Sequence, residues 1–208
     1  MTCGDAAEPT THRLGRVLVV CTGNICRSPY LEHLLRDGLD RAWGPGRVVV
    51  RSSGLRGLTG EPMFPPAAAQ LHARGLDADG FRARRLQAQE AQAADMVLAV
   101  TREHRAAVLR VAPTALRRTV TPAEVALAAS DVSAGDPATS DLSRHLRQVA
   151  ATVVARRPQI SSMSAADLDI DDPYGRPDEA YVVMAEQVGR VLPGLLEALS
   201  PAGPVREE

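Results

Sequence analysis

Cys21 and Arg27 close the two ends of a short polar loop in the run Val17-Leu18-Val19-Val20-Cys21-Thr22-Gly23-Asn24-Ile25-Cys26-Arg27-Ser28-Pro29. The apolar residues before Cys21 predict a buried strand, and Ser28-Pro29 predicts the start of a helix. A thiol therefore stands at the floor of a strand-to-helix loop, with a guanidinium at the other end. That arrangement suits a tetrahedral oxyanion. Successive N–H groups of such a loop form an anion nest. The helix adds the positive end of its dipole and its unpaired N–H groups, and the same field favours a thiolate. Arg27 offers a planar fork for two oxygens at once. Gly23 is expected to permit the tight turn. Asn24 tolerates a left-handed backbone and can lock the loop through its amide. Ser28 is placed either to cap the helix or to donate to the thiolate, and Pro29 suits a first helical turn. The plainer alternative is a packed cysteine at a strand end before an ordinary capped helix. It accounts for a bare Cys-x5-Arg, but not for that spacing together with Gly-Asn inside it and Ser-Pro after it.

Cys21-Thr22-Gly23-Asn24-Ile25-Cys26-Arg27-Ser28-Pro29 resembles the signature loop of the low-molecular-weight protein tyrosine phosphatases of bacterial type. Far downstream, Asp169-Ile170-Asp171-Asp172-Pro173-Tyr174-Gly175 resembles that family's Asp-Pro-Tyr loop, which carries the general acid. The likeness runs from about residue 16 to 199 and is weak between roughly 127 and 164. It implies a protein tyrosine phosphatase that works through a phosphocysteine, with Cys21 as nucleophile, Arg27 on the phosphoryl oxygens and Asp172 as acid and then base. Thr22, Gly23, Asn24, Ile25, Cys26 and Ser28 would complete the phosphate-binding loop. Asp171 is the rival acid. It is placed second because the family's acid directly precedes Pro-Tyr, and Asp171 and Asp169 are read as solvated or loop-stabilising. Cys26, in the same loop, would be either a partner for an oxidised Cys21 or simple packing. No metal or other cofactor is required by this chemistry, because the loop and Arg27 supply the positive charge.

The pocket walls depart from the family pattern. Tyr174 matches an aromatic that packs beside the substrate ring. Gly175 stands where several members carry a second aromatic. Aligning Ser52-Ser53-Gly54 with the family's Ser-Ala-Gly puts Leu58 on the opposite wall, where members often place Trp or Tyr. A histidine that supports the loop in the family is Phe81 here, and an expected Asp-Pro is Phe64-Pro65. Related activities are weighed in the same way. Arsenate reductases relay oxidation through downstream cysteines, and this chain has none after Cys26. Protein-arginine phosphatases typically carry Thr where Ile25 stands. A non-catalytic phosphotyrosine binder would be expected to lack one of Cys21, Arg27 or Asp172.

Composition sets the outer bounds. In 208 residues there are 24 Lys plus Arg and 25 Asp plus Glu, a formal net charge of −1 that gives no reason to expect nucleic acid or an anionic membrane as partner. A phosphotyrosine-containing protein is the partner implied, and nothing in the sequence speaks to the oligomeric state. The arginines at 82, 84 and 85 could meet an acidic peptide, but such a run reads first as a solvated face. No apolar run approaches the ~18 residues of a membrane span. Three cysteines, at 3, 21 and 26, form no disulfide framework and fit a reducing cytoplasm.

The elements that must position these groups alternate strand and helix. Strands are predicted at 16–20, 47–52, 95–100 and 116–120, and helices at 29–42, 65–74, 88–93, 102–110, 123–129, 141–157 and 178–199, with Pro193 kinking or breaking the last. Segments 130–140 and 158–165 read as loop. The fold class is α/β: a doubly wound, four-stranded parallel sheet flanked by helices on both faces, with ligands bound beyond the carboxyl ends of the strands. One phosphatase domain is expected over 15–200, between tails at 1–14 and 201–208. Relative to the family, 130–163 is an insertion, either near the mouth of the site or a surface excursion.

Overall fold

A computed structural model describes residues 13–131, 141–160, 164 and 168–200; residues 1–12 of the tail expected at 1–14, the tail expected at 201–208, residues 132–140 of the loop expected at 130–140, and residues 161–163 and 165 of the loop expected at 158–165 lie outside the described residues. The sheet is built from β1 (Gly15–Cys21), β2 (Val48–Gly54), β3 (Met96–Ala99) and β4 (Thr119–Val120), all parallel, in the order β2-β1-β3-β4. The helices are α1 (Arg27–Trp43), α2 (Pro65–His72), α3 (Ala88–Ala93), α4 (Arg102–Val111), α5 (Pro122–Leu127), α6 (Leu142–Ile160) and α7 (Glu179–Leu199). The strand period of two sorts β1 between two cores. Val17, Val19 and Cys21 join the larger core with α1, α6 and α7, while Leu18 and Val20 join a smaller one with Val97, Ala91 and Val108. Both faces are thus covered, the condition under which a parallel sheet is stable. Cys21 pairs with Gly54 at the carboxyl ends of β1 and β2, where ligands enter such sheets.

Several boundaries differ from the sequence expectation, each for a physical reason. Helix α1 begins at Arg27 rather than 29, with Cys26 at its N-cap and no side chain capping it, because the Ser28 hydroxyl is turned to Cys21. The expected strand at 116–120 keeps only Thr119–Val120. Pro113–Arg118 is a 3-10 turn that leaves Leu116 exposed and is closed by the Thr119 hydroxyl donating to the Ala115 carbonyl at 2.9 Å. Helix α6 continues through Pro158 to Ile160, where a loop is expected, and α7 continues through Pro193. In α7 the buried side chains on both sides of the proline, Val188, Leu195 and Leu199, keep one face against the core. Gly38 lets α1 approach that helix, since a Cβ there would meet Leu196 at 2.6 Å.

Helix α6 lies within the segment expected as an insertion. It buries Leu142, Leu146, Val149 and Val153 in the main core. Leu146 packs over Gly15, where an added Cβ would meet it at 2.8 Å. Ser143 and Arg147 bind the buried Asp95 carboxylate at 2.6 and 2.8 Å. The helix therefore covers the Gly15 end of β1, away from Cys21 and the mouth of the site.

Candidate active site

The loop between β1 and α1 is held from outside by its carbonyls. Those of Cys21, Thr22, Gly23 and Ile25 accept hydrogen bonds from the amides of Leu55, Arg56, Leu58 and Phe64 at 2.8–3.0 Å. A trans peptide sets C=O and N–H on opposite sides. The amides of Thr22, Gly23, Asn24 and Cys26 therefore point the other way, and that of Asn24 reaches Cys21 Sγ at 3.3 Å. The left-handed residue is Asn24, with φ of 58°, as its type allows; the turn makes no such demand on Gly23, where a Cβ would meet nothing closer than Ile25 at 3.5 Å. The glycine the loop needs is Gly54, where a Cβ would lie 2.5 Å from the Thr22 carbonyl and 2.9 Å from the Asn24 amide.

Asn24 is fully buried and uses its whole side chain. Its amide nitrogen donates to Ser28 Oγ at 2.9 Å and to Ser52 Oγ at 2.7 Å, and its oxygen accepts from the Arg84 amide at 2.8 Å. The Ser52 hydroxyl donates in turn to Glu32 at 2.5 Å. Burial raises the Glu32 carboxyl above its ordinary range, opposed by Ser52 and Arg36. Ser28 Oγ lies 2.9 Å from Cys21 Sγ, so a line of hydrogen bonds runs from Glu32 to the buried thiol. Arg84 was expected on a solvated face. It pairs with Glu90 at 2.8 Å and donates to the Ser52 carbonyl at 2.6 Å, so it braces the loop; Arg82 is exposed, as expected. Phe81 packs edge-on against His33, with centroids 6.1 Å apart, and support for Asn24 comes from Ser52 and the Arg84 backbone.

Arg27 is buried and its fork is aimed across the loop. One terminal nitrogen donates to Asp172 Oδ2 at 2.6 Å and to Thr22 Oγ1 at 3.5 Å, and the other to the Ile170 carbonyl at 3.4 Å. Its Nε has no partner among the described residues. The Asp-Pro-Tyr segment is fixed to the sheet by the Ile170 amide on the Val100 carbonyl at 3.0 Å. The three acids of that segment then diverge. Asp169 binds the Arg102 amide at 2.8 Å and its guanidinium at 3.3 Å, and Asp171 is held by Gln187 at 3.1 Å. Asp172 alone turns to Arg27, with its side chain about half exposed.

These groups line a cavity of about 230 Å³ that takes in Cys21, Thr22, Gly23, Ile25, Cys26, Arg27, Arg56, Leu58, Asp172 and Tyr174. Its rim is Leu58 and Tyr174, 43% and 56% exposed. Phe64 explains one departure from the family pattern: it meets Tyr174 edge-on at 5.5 Å and stacks on Tyr181 at 5.8 Å, so it buttresses the rim. Cys26 is buried, and its thiol is pushed up to about 12 by burial and then by the neighbouring Cys21 and Asp172. Two residues at the site escape a sequence reading. Arg56 enters through its amide bond to the Thr22 carbonyl at 2.9 Å. His104 lies 2.8 Å from Thr22 Oγ1 from 82 positions away; the only local signal is Thr101 capping α4 by accepting from the His104 amide. Among the described residues no three His, Cys, Asp or Glu gather to hold a metal ion, and no helix is long and apolar enough to cross a membrane.

Comparison with known proteins supplies the remaining findings. Residues 16–156 match the family model described as low molecular weight phosphotyrosine protein phosphatase. The chain is 43% identical over 101 residues to the low molecular weight protein-tyrosine-phosphatase Etp of Escherichia coli K12, a stretch that covers 49% of this chain and 64% of Etp. It is 38% identical over 188 residues, 88% of this chain and 93% of the relative, to a low molecular weight protein-tyrosine-phosphatase of Streptomyces coelicolor. In structure it resembles the YwlE arginine phosphatase of Geobacillus stearothermophilus, with a TM-score of 0.62 and 25% identity over 88% of this chain and 91% of the other.

Proposed function

Because the chain belongs to the low molecular weight phosphotyrosine protein phosphatase family, we propose that it hydrolyses phosphotyrosine in proteins through a phosphocysteine intermediate. The observation that carries this reading is the meeting of Cys21, Arg27 and Asp172 in one cavity, with Arg27 and Asp172 brought together from 145 positions apart.

The Cys21 thiolate attacks phosphorus in line with the phenolic oxygen; the S–P bond forms as the P–O bond breaks. The loop amides and the Arg27 fork hold the equatorial oxygens. An incoming phosphoryl group takes the place of Asp172 on the fork, which leaves Asp172 free to carry the proton it gives to the departing phenolate. Asp172 then takes a proton from the water that attacks the phosphocysteine, and inorganic phosphate and the thiolate leave. The Ser28 hydroxyl, 2.9 Å from Cys21 Sγ, donates to that thiolate and eases its departure. Leu58 and Tyr174 at the rim and Ile25 on the cavity wall offer an apolar lining for an aromatic ring. Ile25 has no hydroxyl to meet a phosphoguanidino group, which favours the aryl ester over phosphoarginine. A cytoplasmic setting, no metal or other cofactor, and a phosphotyrosine protein as partner complete the reading. Oxidation belongs to it as well: peroxide converts the Cys21 thiolate to a sulfenic acid with release of hydroxide, and the Cys26 thiol condenses with it to a disulfide, releasing water.

The test is pre-steady-state hydrolysis of a chromogenic aryl phosphate. Cys21→Ser should abolish the burst and turnover and keep affinity for phosphate. Asp172→Asn should slow phosphotyrosine hydrolysis by about 10²–10⁴-fold, and less for very acidic leaving groups. A larger loss in Asp171→Asn would move the acid to Asp171. Faster release from a phosphoarginine peptide than from its phosphotyrosine counterpart would overturn the substrate class.

A further inference from the structure

We propose that His104 is a positioning residue for phosphoryl transfer: through Thr22 it braces the Arg27 fork and directs the Thr22 hydroxyl proton into the phosphate cradle. The inference rests on the phosphatase reading above and concerns the same cavity.

The geometry is a chain of four groups. His104 is buried on α4, one helical turn in. Its Nδ1 lies 2.5 Å from Thr101 Oγ1 and its Nε2 lies 2.8 Å from Thr22 Oγ1. Thr22 Oγ1 accepts from Arg27 at 3.5 Å, and Thr22 lines the cavity. Burial, and then the charge of Arg27, push His104 down to about 4, so the ring is neutral at neutral pH and carries one proton.

Counting protons decides which nitrogen holds it. Thr101 Oγ1 already accepts the His104 amide at 3.1 Å. If Nδ1 carried the proton, Thr101 would accept twice and its own hydrogen would have no acceptor among its described contacts. If Nε2 carries it, every donor is placed. Thr101 donates to Nδ1, and Nε2–H donates to Thr22. The two lone pairs of Thr22 are then taken by His104 and Arg27, and its hydrogen is left for the cavity. In that state Thr22 is a side-chain donor to a phosphoryl oxygen, beside the loop amides. A neutral imidazole also steadies Arg27 without repelling it. That matters when Asp172 leaves the fork, because Thr22 and the Ile170 carbonyl are then the groups of the protein that still hold it.

The experiment measures kcat, KM and the inhibition constant of inorganic phosphate on an aryl phosphate. The variants are Thr22→Val, Thr22→Ser, His104→Gln, His104→Ala and the double variant Thr22→Val/His104→Ala. Thr22→Val, nearly isosteric, should lower kcat/KM by about ten-fold or more, the effect of one hydrogen bond to a charged group. Phosphate inhibition should weaken in parallel. Thr22→Ser should restore both. His104→Gln, whose amide can still donate to Thr22, should fall between wild type and His104→Ala. The double variant should be no worse than the poorer single variant, because both remove one path. Wild-type kinetics and phosphate affinity in Thr22→Val would overturn the proposal, as would additive losses in the double variant, which would leave His104 as packing alone. Should His104→Ala fail to fold, Thr22→Val and His104→Gln decide the matter. Turnover surviving in Cys21→Ser would instead overturn the phosphocysteine reading. An inactive Cys21→Ser beside an unaffected Thr22→Val would overturn the His104 path alone.

Discussion

Asn24 ties the loop to three other residues, and its replacement separates two terms. The residue combines three hydrogen bonds, two of them buried, at 2.7, 2.8 and 2.9 Å, with a left-handed backbone at φ of 58°. Asn24→Gly removes the bonds and keeps the backbone angle accessible. At roughly 0.5–1.5 kcal/mol each, three neutral bonds come to about 3 kcal/mol. Asn24→Ala removes the same bonds and, unlike the glycine variant, keeps a Cβ with no local hydrogen bond to stabilise the left-handed angle, at a further cost of ~1 kcal/mol. Urea unfolding should therefore order wild type, glycine and alanine, with about 3 kcal/mol to the first variant and about 4 to the second. Activity should fall in both variants by more than phosphate affinity does. The carbonyl bonds from Leu55, Arg56, Leu58 and Phe64 keep the outline of the loop, while Ser28 loses the donor that orients its hydroxyl toward Cys21. If both variants lost less than 1 kcal/mol (well below the value expected) and turned over normally, the carbonyl bonds alone would hold the loop, and the line from Glu32 to Cys21 would have no energetic weight.

Arg27→Lys keeps the charge and loses the fork; it should weaken phosphate inhibition and slow turnover together, and wild-type kinetics would mean that Arg27 only opens the helix. Acid should destabilise the fold. His33 and His104 are both pushed down to about 4 by burial, so their folded forms favour the neutral ring; the stability they add is present above about 6.5 and is lost as pH falls through 4. At ~1.36 kcal/mol per pH unit each contributes about 3 kcal/mol, offset in part by Glu32, whose raised carboxyl gains a proton more readily folded than unfolded. Urea midpoints should fall between pH 7 and 4.5, less steeply in His104→Gln, and a flat profile would refute the assignment. Peroxide should inactivate the wild type reversibly, with dithiothreitol restoring activity, and Cys26→Ser should recover less. Because burial holds the Cys26 thiol near 12, condensation should quicken as pH rises; equal recovery in the two proteins would leave Cys26 as packing.

The parts of the site that could be read from the sequence are those whose physics is local. A strand end, an anion-binding turn and a helix start occupy consecutive residues, so Cys21 and Arg27 announce the cradle once the apolar run before them, Gly23-Asn24 between them and Ser28-Pro29 after them are read together. The acid is a harder case. Asp169, Asp171 and Asp172 are chemically alike in sequence, and what separates them is tertiary: Arg102 takes the first, Gln187 on α7 the second, and Arg27 the third. Resemblance to the Asp-Pro-Tyr loop chose Asp172 as the expected acid, and in the fold it is the one of the three carboxylates that faces Arg27. Boundaries slipped where a long-range contact outweighed a local signal. Ser28 reads equally as a helix cap or as a donor to the thiolate, and its hydroxyl lies against Cys21. Pro193 reads as a break, yet burial of Leu195 and Leu199 beyond it outweighs the ~3 kcal/mol of a helical proline. Arg84 reads as part of a solvated run and His104 goes unread, because each reaches the loop from 60 or more positions away and neither belongs to a local pattern that names its partner. Local chemistry therefore specifies what the loop can bind, while residues distant in sequence specify how rigidly it is held. Substitutions at Arg84 or His104 should for that reason slow turnover of an aryl phosphate in the proposed reaction, although neither residue lines the cavity of Cys21, Arg27 and Asp172.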